Sequence, residues 1–206
     1  MTFDPVAPFY DSLAALAFGK SLIRAQEWGV AQVRPGYRVL VLGGGSGVTL
    51  PGLLARHPTQ VVYVEASAAM LLLAQQRVPP GAPVAFLLGT EADVPTSEPF
   101  DYILLPFVLD LYPAAALESD MLPTLLRVLQ PAGQLIVTDF AKPTTYWQRV
   151  YMWLMLRFFR LTTGIPARHW TNWPASLAAL GLVEQHGQSF RYGQLRSGCW
   201  LRQTYV

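Results

Sequence analysis

The sequence predicts an α/β fold, doubly wound, with a mainly parallel sheet and helices on both faces. Three observations carry this expectation. Short apolar runs recur at 37–42, 61–65, 84–88, 102–105 and 134–138, and the segments between them place apolar residues at helical spacing. Regular alternation of buried strand and helix is the pattern of a parallel sheet covered on both sides. The first run, Arg38-Val39-Leu40-Val41-Leu42, passes directly into Gly43-Gly44-Gly45-Ser46-Gly47, and the second, Val61-Val62-Tyr63-Val64, ends on Glu65. A strand, a Gly-rich turn, a helix and a strand tipped by a carboxylate form the first unit of a nucleoside-binding α/β fold. There the glycines let the backbone approach a ligand, and the carboxylate can accept hydrogen bonds from both ribose hydroxyls.

The elements follow in order. From Asp11 to about Val30, Leu13, Leu16, Phe18, Leu22 and Trp28 recur as on a helix, which Arg34-Pro35-Gly36 breaks. A helix is expected from Gly47 to about Arg56, with Pro51 tolerable because it lies near the first turn. Ser67 is the expected N-cap of a helix through Gln76, closed by Pro79-Pro80-Gly81. A helix over Ala114–Leu129 should be kinked or divided at Pro123, and Pro131-Ala132-Gly133 precedes the fifth strand. An aromatic-rich helix is expected over 145–161, then an irregular stretch, a helix near 175–180, and final strands near Leu182–Ser189 and Cys199–Thr204.

With 206 residues, one domain with one sizeable core is expected over 1–206. Within it, 1–32 would be an N-terminal helical cover, 33–140 the cofactor-binding core, 141–180 a helical substrate insertion and 181–206 the final strands. The composition is 52% hydrophobic and 14% charged, yet no apolar run reaches the roughly 18 residues of a spanning helix. Met1-Thr2-Phe3-Asp4-Pro5 lacks the start of a secretory signal, so a cytoplasmic protein is expected. The single cysteine, Cys199, allows no internal disulfide and excludes a multi-cysteine zinc site; no Asp/Glu/His grouping has metal spacing, so no metal is expected.

The formal charge of +2 hides an asymmetry. Between Glu91 and Asp139 eight acids face one base, Arg127, whereas from Phe140 onward eight bases face one acid, Glu184, and five of the six tryptophans lie there. Arginine with tryptophan suits a membrane interface, an anionic amphiphile or a nucleic acid, and equally a solvated rim around a substrate lobe.

The glycine spacing separates the nucleoside cofactors. A dinucleotide fingerprint needs a third glycine where Val48 stands, and no Lys-Ser/Thr pair follows the turn as a Walker A loop requires. The run instead resembles motif I of class I S-adenosylmethionine-dependent methyltransferases. Four further segments resemble that family's motifs in order: Val61–Met70 with Glu65 at the ribose position, Val84–Pro95 as the adenine loop, Phe100-Asp101-Tyr102-Ile103 in the fourth strand, and Arg127-Val128-Leu129-Gln130-Pro131-Ala132-Gly133 before the fifth. The resemblance implies a Rossmann-like seven-stranded sheet with an antiparallel last strand, and S-adenosylmethionine as cofactor with S-adenosylhomocysteine (SAH) as product. It implies cofactor contacts from Tyr10, Gly43, Gly44, Gly45, Ser46, Gly47, Glu65, Ala66, Met70, Thr90, Glu91, Ala92 and Pro106. Two positions depart from the pattern. Val41 replaces the acid usual two residues before the first glycine, and Thr90 replaces the aspartate of the adenine loop. Either Glu91, by a one-residue shift, or Thr90 itself could supply the missing hydrogen bond.

Within the superfamily the chain resembles the ubiquinone/menaquinone biosynthesis methyltransferases, through Val6-Ala7-Pro8-Phe9-Tyr10-Asp11 and Asp139-Phe140-Ala141-Lys142-Pro143. Their Gly-x-Arg-Asn segment after the fourth strand is absent, and Phe107-Val108-Leu109-Asp110-Leu111 stands there. The expected reaction is methyl transfer to a small apolar or amphipathic acceptor: a quinol, a phenol or a lipid-like molecule. In 145–161, Arg149, Arg157 and Arg160 share one stripe of an otherwise apolar helix, which suits an acceptor pocket or a membrane surface, and equally a homodimer contact or ordinary core. If a base is needed, the candidates are Asp110, Asp139, Tyr10 and His169. Two other readings stand beside this one. One is a catalytically silent S-adenosylmethionine-binding protein, prompted by Val41 and Thr90. The other is an RNA methyltransferase, disfavoured because Leu104-Leu105-Pro106-Phe107 only faintly echoes an Asn-Pro-Pro-Tyr motif; nucleic acid is therefore not an expected partner.

Overall fold

The computed structural model describes residues 19–143, 145, 146, 148–150 and 171–203. Their strands are β1 (Arg38–Leu42), β2 (Gln60–Glu65), β3 (Val84–Leu88), β4 (Phe100–Pro106), β5 (Leu129–Phe140), β6 (Leu182–Phe190) and β7 (Leu195–Arg202). They form one seven-stranded sheet in the order β3-β2-β1-β4-β5-β7-β6. Pairings from β3 to β5 are parallel, and β7 runs antiparallel between β5 and β6. The mostly parallel sheet with an antiparallel last strand is the architecture expected from the sequence.

The central strands read as continuous apolar runs because both of their faces are buried. Leu40, Leu42, Val62, Val64, Ile103, Leu105, Leu135 and Val137 enter one core cluster, with Met121, Leu122, Leu125 and Trp173. Their alternate neighbours Val39, Val41, Val61, Tyr63, Tyr102, Leu104 and Ile136 enter the other, with Val30, Leu50, Leu53 and Ala74. This is the two-residue side-chain period of a strand applied to a sheet with helices on each side.

The described helices are α1 (Ser21–Ala31), α2 (Leu50–Leu54), α3 (Ala68–Gln76), α4 (Ala114–Ala116), α5 (Leu122–Val128) and α6 (Trp173–Ala179). Ser67 caps α3 as expected, its hydroxyl accepting from the Met70 N–H at 3.2 Å. Several boundaries differ from expectation for identifiable reasons. The helix expected from Gly47 starts only at Leu50, because Gly43, Gly45 and Gly47 all hold positive φ. The division expected at Pro123 falls just before it, as a π turn over Leu117–Met121 between α4 and α5. Pro123 has no N–H to offer the carbonyl four residues back, so that turn widens. The strand β5 begins at Leu129 rather than Gln134: Leu129 pairs with Phe100, the register shifts across 130–133, and pairing resumes at Tyr102 and Gln134.

Of the helix expected over 145–161 only 145, 146 and 148–150 are among the described residues; Tyr10 and His169 lie outside them. Among the described residues no helix is long and apolar enough to cross a membrane.

The sheet order reverses between β1 and β4, since β2 lies on one side of β1 and β4 on the other. Loops leaving the carboxyl ends of these two strands diverge to opposite faces, which opens a crevice there. Beyond the crevice, Trp173 on α6 locks the far side of the sheet: it is 1% exposed, its indole N–H donates to the Phe140 carbonyl at 2.9 Å, and its ring meets Trp200 edge-on at 6.1 Å. Trp173→Ala should therefore lose about 3–5 kcal/mol of stability, read as a lower urea midpoint with little change in slope.

Candidate active site

A cavity of about 460 Å³ occupies this crevice, within the range of small-molecule sites. Its polar end is the turn after β1. The Gly43 N–H donates to the Val64 carbonyl at 2.8 Å, which fastens the turn to the end of β2. Glu65, 6% exposed, accepts from the Gly45 N–H at 2.9 Å through Oε2 and from the Ser67 N–H at 2.9 Å through Oε1. Gly45 adopts φ +61°, and a Cβ built there would meet nothing within 4 Å, so this residue faces open space.

Most residues that the sequence assigned to cofactor binding stand on the cavity wall. Gly43, Gly44, Gly45 and Ser46 come from the turn, Glu65, Ala66 and Met70 from β2 and α3, Thr90 and Glu91 from the loop after β3, and Pro106 from the end of β4. Gly47 and Ala92 do not line it. A Cβ on Gly47 would lie 2.8 Å from Ala74 Cβ, so this glycine lets the turn press against α3. Ala92 sits in a 3₁₀ turn (Glu91–Asp93), its N–H directed to Thr90 Oγ1 at 3.4 Å.

The two residues that could replace the adenine-loop acid have different surroundings. Thr90 is the N-cap of the 3₁₀ turn: its hydroxyl accepts from Ala92, and its N–H donates to Asp93 Oδ2 at 2.8 Å. Glu91 is held by Tyr112, from the segment after β4, whose hydroxyl donates to Oε2 at 3.0 Å. Burial, and then the Glu91 charge, push the Tyr112 phenol well above its ordinary pKa, so it remains a donor throughout the physiological range.

The rest of the wall is mostly apolar: Leu22, Ile23 and Gln26 come from α1, and Phe107, Val108, Leu111 and Tyr112 from the segment after β4. Phe107 is not glycine yet holds φ +57°; its N–H donates to the Thr138 carbonyl at 2.7 Å and its ring lies 5.2 Å from that of Phe140. Sequence reasoning missed these wall residues. The spacing of Leu22, Ile23 and Gln26 on one helix face was an available signal; nothing in the sequence marks the backbone of Phe107.

Neither Asp110 nor Asp139 is on the wall. Asp139 is fully buried and caps the 3₁₀ turn Leu109–Leu111, accepting from the N–H groups of Leu109 at 2.8 Å and Asp110 at 3.3 Å, with Phe140 at 2.7 Å on its other oxygen. The Asp110 carboxyl is within hydrogen-bonding reach of Asp139, while its buried Oδ1 takes no donor. Burial raises both carboxyls, Asp110 to about 6, and the negative charge of Asp110 raises Asp139 further. Two carboxyls in one site cannot both ionise cheaply, so the pair shares a proton. Its pKa is higher in the folded than in the unfolded chain. The contribution to stability is thus complete below about pH 4 and is lost as pH rises through about 6. Asp110→Asn, whose amide can donate to Asp139, should remove most of that loss. Thermal unfolding should show the variant stabilised at pH 8 by on the order of 1–2 kcal/mol, with the difference closing toward pH 4.

Comparisons with known proteins add to this geometry. The family model described as a methyltransferase domain matches residues 39–133, from β1 to the bulge of β5. The demethylmenaquinone methyltransferase of Beutenbergia cavernae is 34% identical over 145 residues, covering 68% of this chain and 57% of that protein. The ubiquinone/menaquinone biosynthesis C-methyltransferase UbiE of Pseudomonas savastanoi pv. phaseolicola is 32% identical over 150 residues, covering 69% and 57%. Residues 39–133 thus match a methyltransferase domain, and the chain is similar to the methyltransferases of the UbiE group. The matched region spans a little over half the length of these curated relatives. The fold is also that of DhpI in its complex with SAH, with a TM-score of 0.69, 18% identity, and 97% of this chain and 93% of that one covered.

The residues present fit the family's cofactor. The turn at Gly45 opens onto the cavity, Glu65 stands at the tip of β2, and the adenine loop contributes a carboxylate in Glu91. Among the described residues no group of His, Cys, Asp and Glu could hold a metal ion.

Proposed function

We propose that this protein is an S-adenosylmethionine-dependent methyltransferase that acts on a small apolar or amphipathic acceptor of the quinol, phenol or lipid-like class. The observation that carries the reading is that one cavity is lined both by the glycine turn and Glu65 and by the apolar side chains of Leu22, Ile23, Phe107 and Leu111. The quinone names borne by the relatives point to the same class.

In this reading Glu65 takes the ribose hydroxyls, the amides of the glycine turn take the amino-acid carboxylate, and Glu91, oriented by Tyr112, takes the adenine amine. When bound, S-adenosylmethionine supplies a methyl group on a sulfonium, open to in-line displacement. The protein's part is alignment and exclusion of water, and the leucine, isoleucine and phenylalanine wall serves both. A base is needed only where the acceptor must lose a proton. Asp110 immediately precedes the wall residue Leu111, and a carboxyl pair sharing one proton retains a site that can take up another; Tyr10 and His169 are the further candidates. The arginine stripe that the sequence predicts for 145–161 would suit contact with a membrane surface that holds such acceptors.

Two measurements test the cofactor end. Gly45→Arg and Glu65→Ala should each weaken S-adenosylmethionine binding in calorimetry by about 30-fold or more, the scale of a lost charged hydrogen-bond partner. Full affinity in both would show the site to be elsewhere. For the acceptor end, labelled methyl should pass to the apolar extract of a lysate, and Phe107→Ala should raise the acceptor KM several-fold while leaving cofactor affinity within about twofold. Tight cofactor binding with no transfer to any fraction would instead favour a silent binding protein, and label in RNA would favour RNA methylation.

A further inference from the structure

We propose that Tyr63 is a positioning residue, a prop beneath the glycine turn that sets its shape for the cofactor. The inference rests on the assignment of that turn as the cofactor site. Tyr63 lies on β2 two residues before Glu65, so the two side chains leave the strand on the same face. They reach the two ends of one residue. Glu65 Oε2 accepts from the Gly45 N–H at 2.9 Å, and the Tyr63 hydroxyl donates to the Gly45 carbonyl at 3.0 Å. Gly45 is thereby fixed on both sides of its positive φ, in a turn that no side chain of its own could hold.

The surroundings explain why this device fits here. Tyr63 is 1% exposed, and its ring packs 5.5 Å from that of Phe86. It pairs in register with Val41 on β1, and the two share one apolar cluster with Val30, Leu50 and Leu104. Valine at position 41 leaves β1 no polar side chain with which to brace the turn that follows it, and keeps the neighbourhood apolar enough for an aromatic ring. The bracing comes instead from β2, through Tyr63 and Glu65 together. Gly44 completes the fit: a Cβ there would lie 2.3 Å from the Tyr63 hydroxyl, so tyrosine at 63 requires glycine at 44.

The test is Tyr63→Phe in the full chain, which keeps the ring and its packing and removes one hydrogen bond. SAH binding by calorimetry should weaken about 5- to 10-fold, the scale of a single lost bond, and amide exchange over 43–47 of the ligand-free protein should quicken. Affinity within twofold of the parent, with a lowered melting temperature, would show a merely structural tyrosine and overturn the proposal. If the parent protein itself takes up no SAH, it is the cofactor assignment that fails. The exchange measurement then decides alone, and unchanged exchange over 43–47 would dispose of the prop.

Discussion

The buried carboxylate of Glu65 is the constraint around which the site is arranged. A charge taken out of water is costly unless hydrogen bonds replace its hydration. Here the replacements are the N–H groups of Gly45 and Ser67, so one side chain ties together the turn after β1, the tip of β2 and the start of α3. The same residue that the fold needs to satisfy its backbone is the one presented to the cavity. A change at Glu65 therefore disturbs the backbone of the turn and the wall of the cavity together.

What places this carboxylate at an opening is the sheet. Because β1 has β2 on one side and β4 on the other, the chain leaves the two central strands toward opposite faces. Polar backbone at the ends of apolar strands then borders a gap that the helices do not fill. Apolar residues of α1 and of the segment after β4 close the gap from the other side. The acidic groups of the neighbourhood are engaged with a phenol, with backbone or with one another: Glu91 with Tyr112, Asp139 with three N–H groups, Asp110 with Asp139. The cavity is thus lined by hydrogen-bonded carboxylates and backbone together with apolar side chains.

The glycine turn shows how local departures are absorbed. Val41 removes an acidic side chain from β1, and Thr90 spends its hydroxyl on capping its own 3₁₀ turn. In both places a residue on another element stands in: Tyr63 and Glu65 support the turn from β2, and Tyr112 orients Glu91 from beyond β4. Such replacements depend on register and loop geometry, so a motif read along one strand does not reveal them.

The sequence alone determined the order of strands and helices, the two-sided burial of the sheet, the Ser67 cap, and the turn facing Glu65. Each of these follows from local chemistry: side-chain period, the permissiveness of glycine, a hydroxyl ahead of a helix. It also pointed to residues just past strand ends, most of which line the cavity. Tertiary structure decided the rest. The roles of Gly47 in packing on Ala74, of Asp139 in capping a turn thirty residues away, and of Phe107 in a left-handed backbone all depend on which strands lie side by side. So does the pairing of Tyr63 with Val41, which no spacing in the chain encodes. Short-range rules fix what each segment becomes, but the hydrogen bonds that shape a site join groups brought together only when the sheet closes.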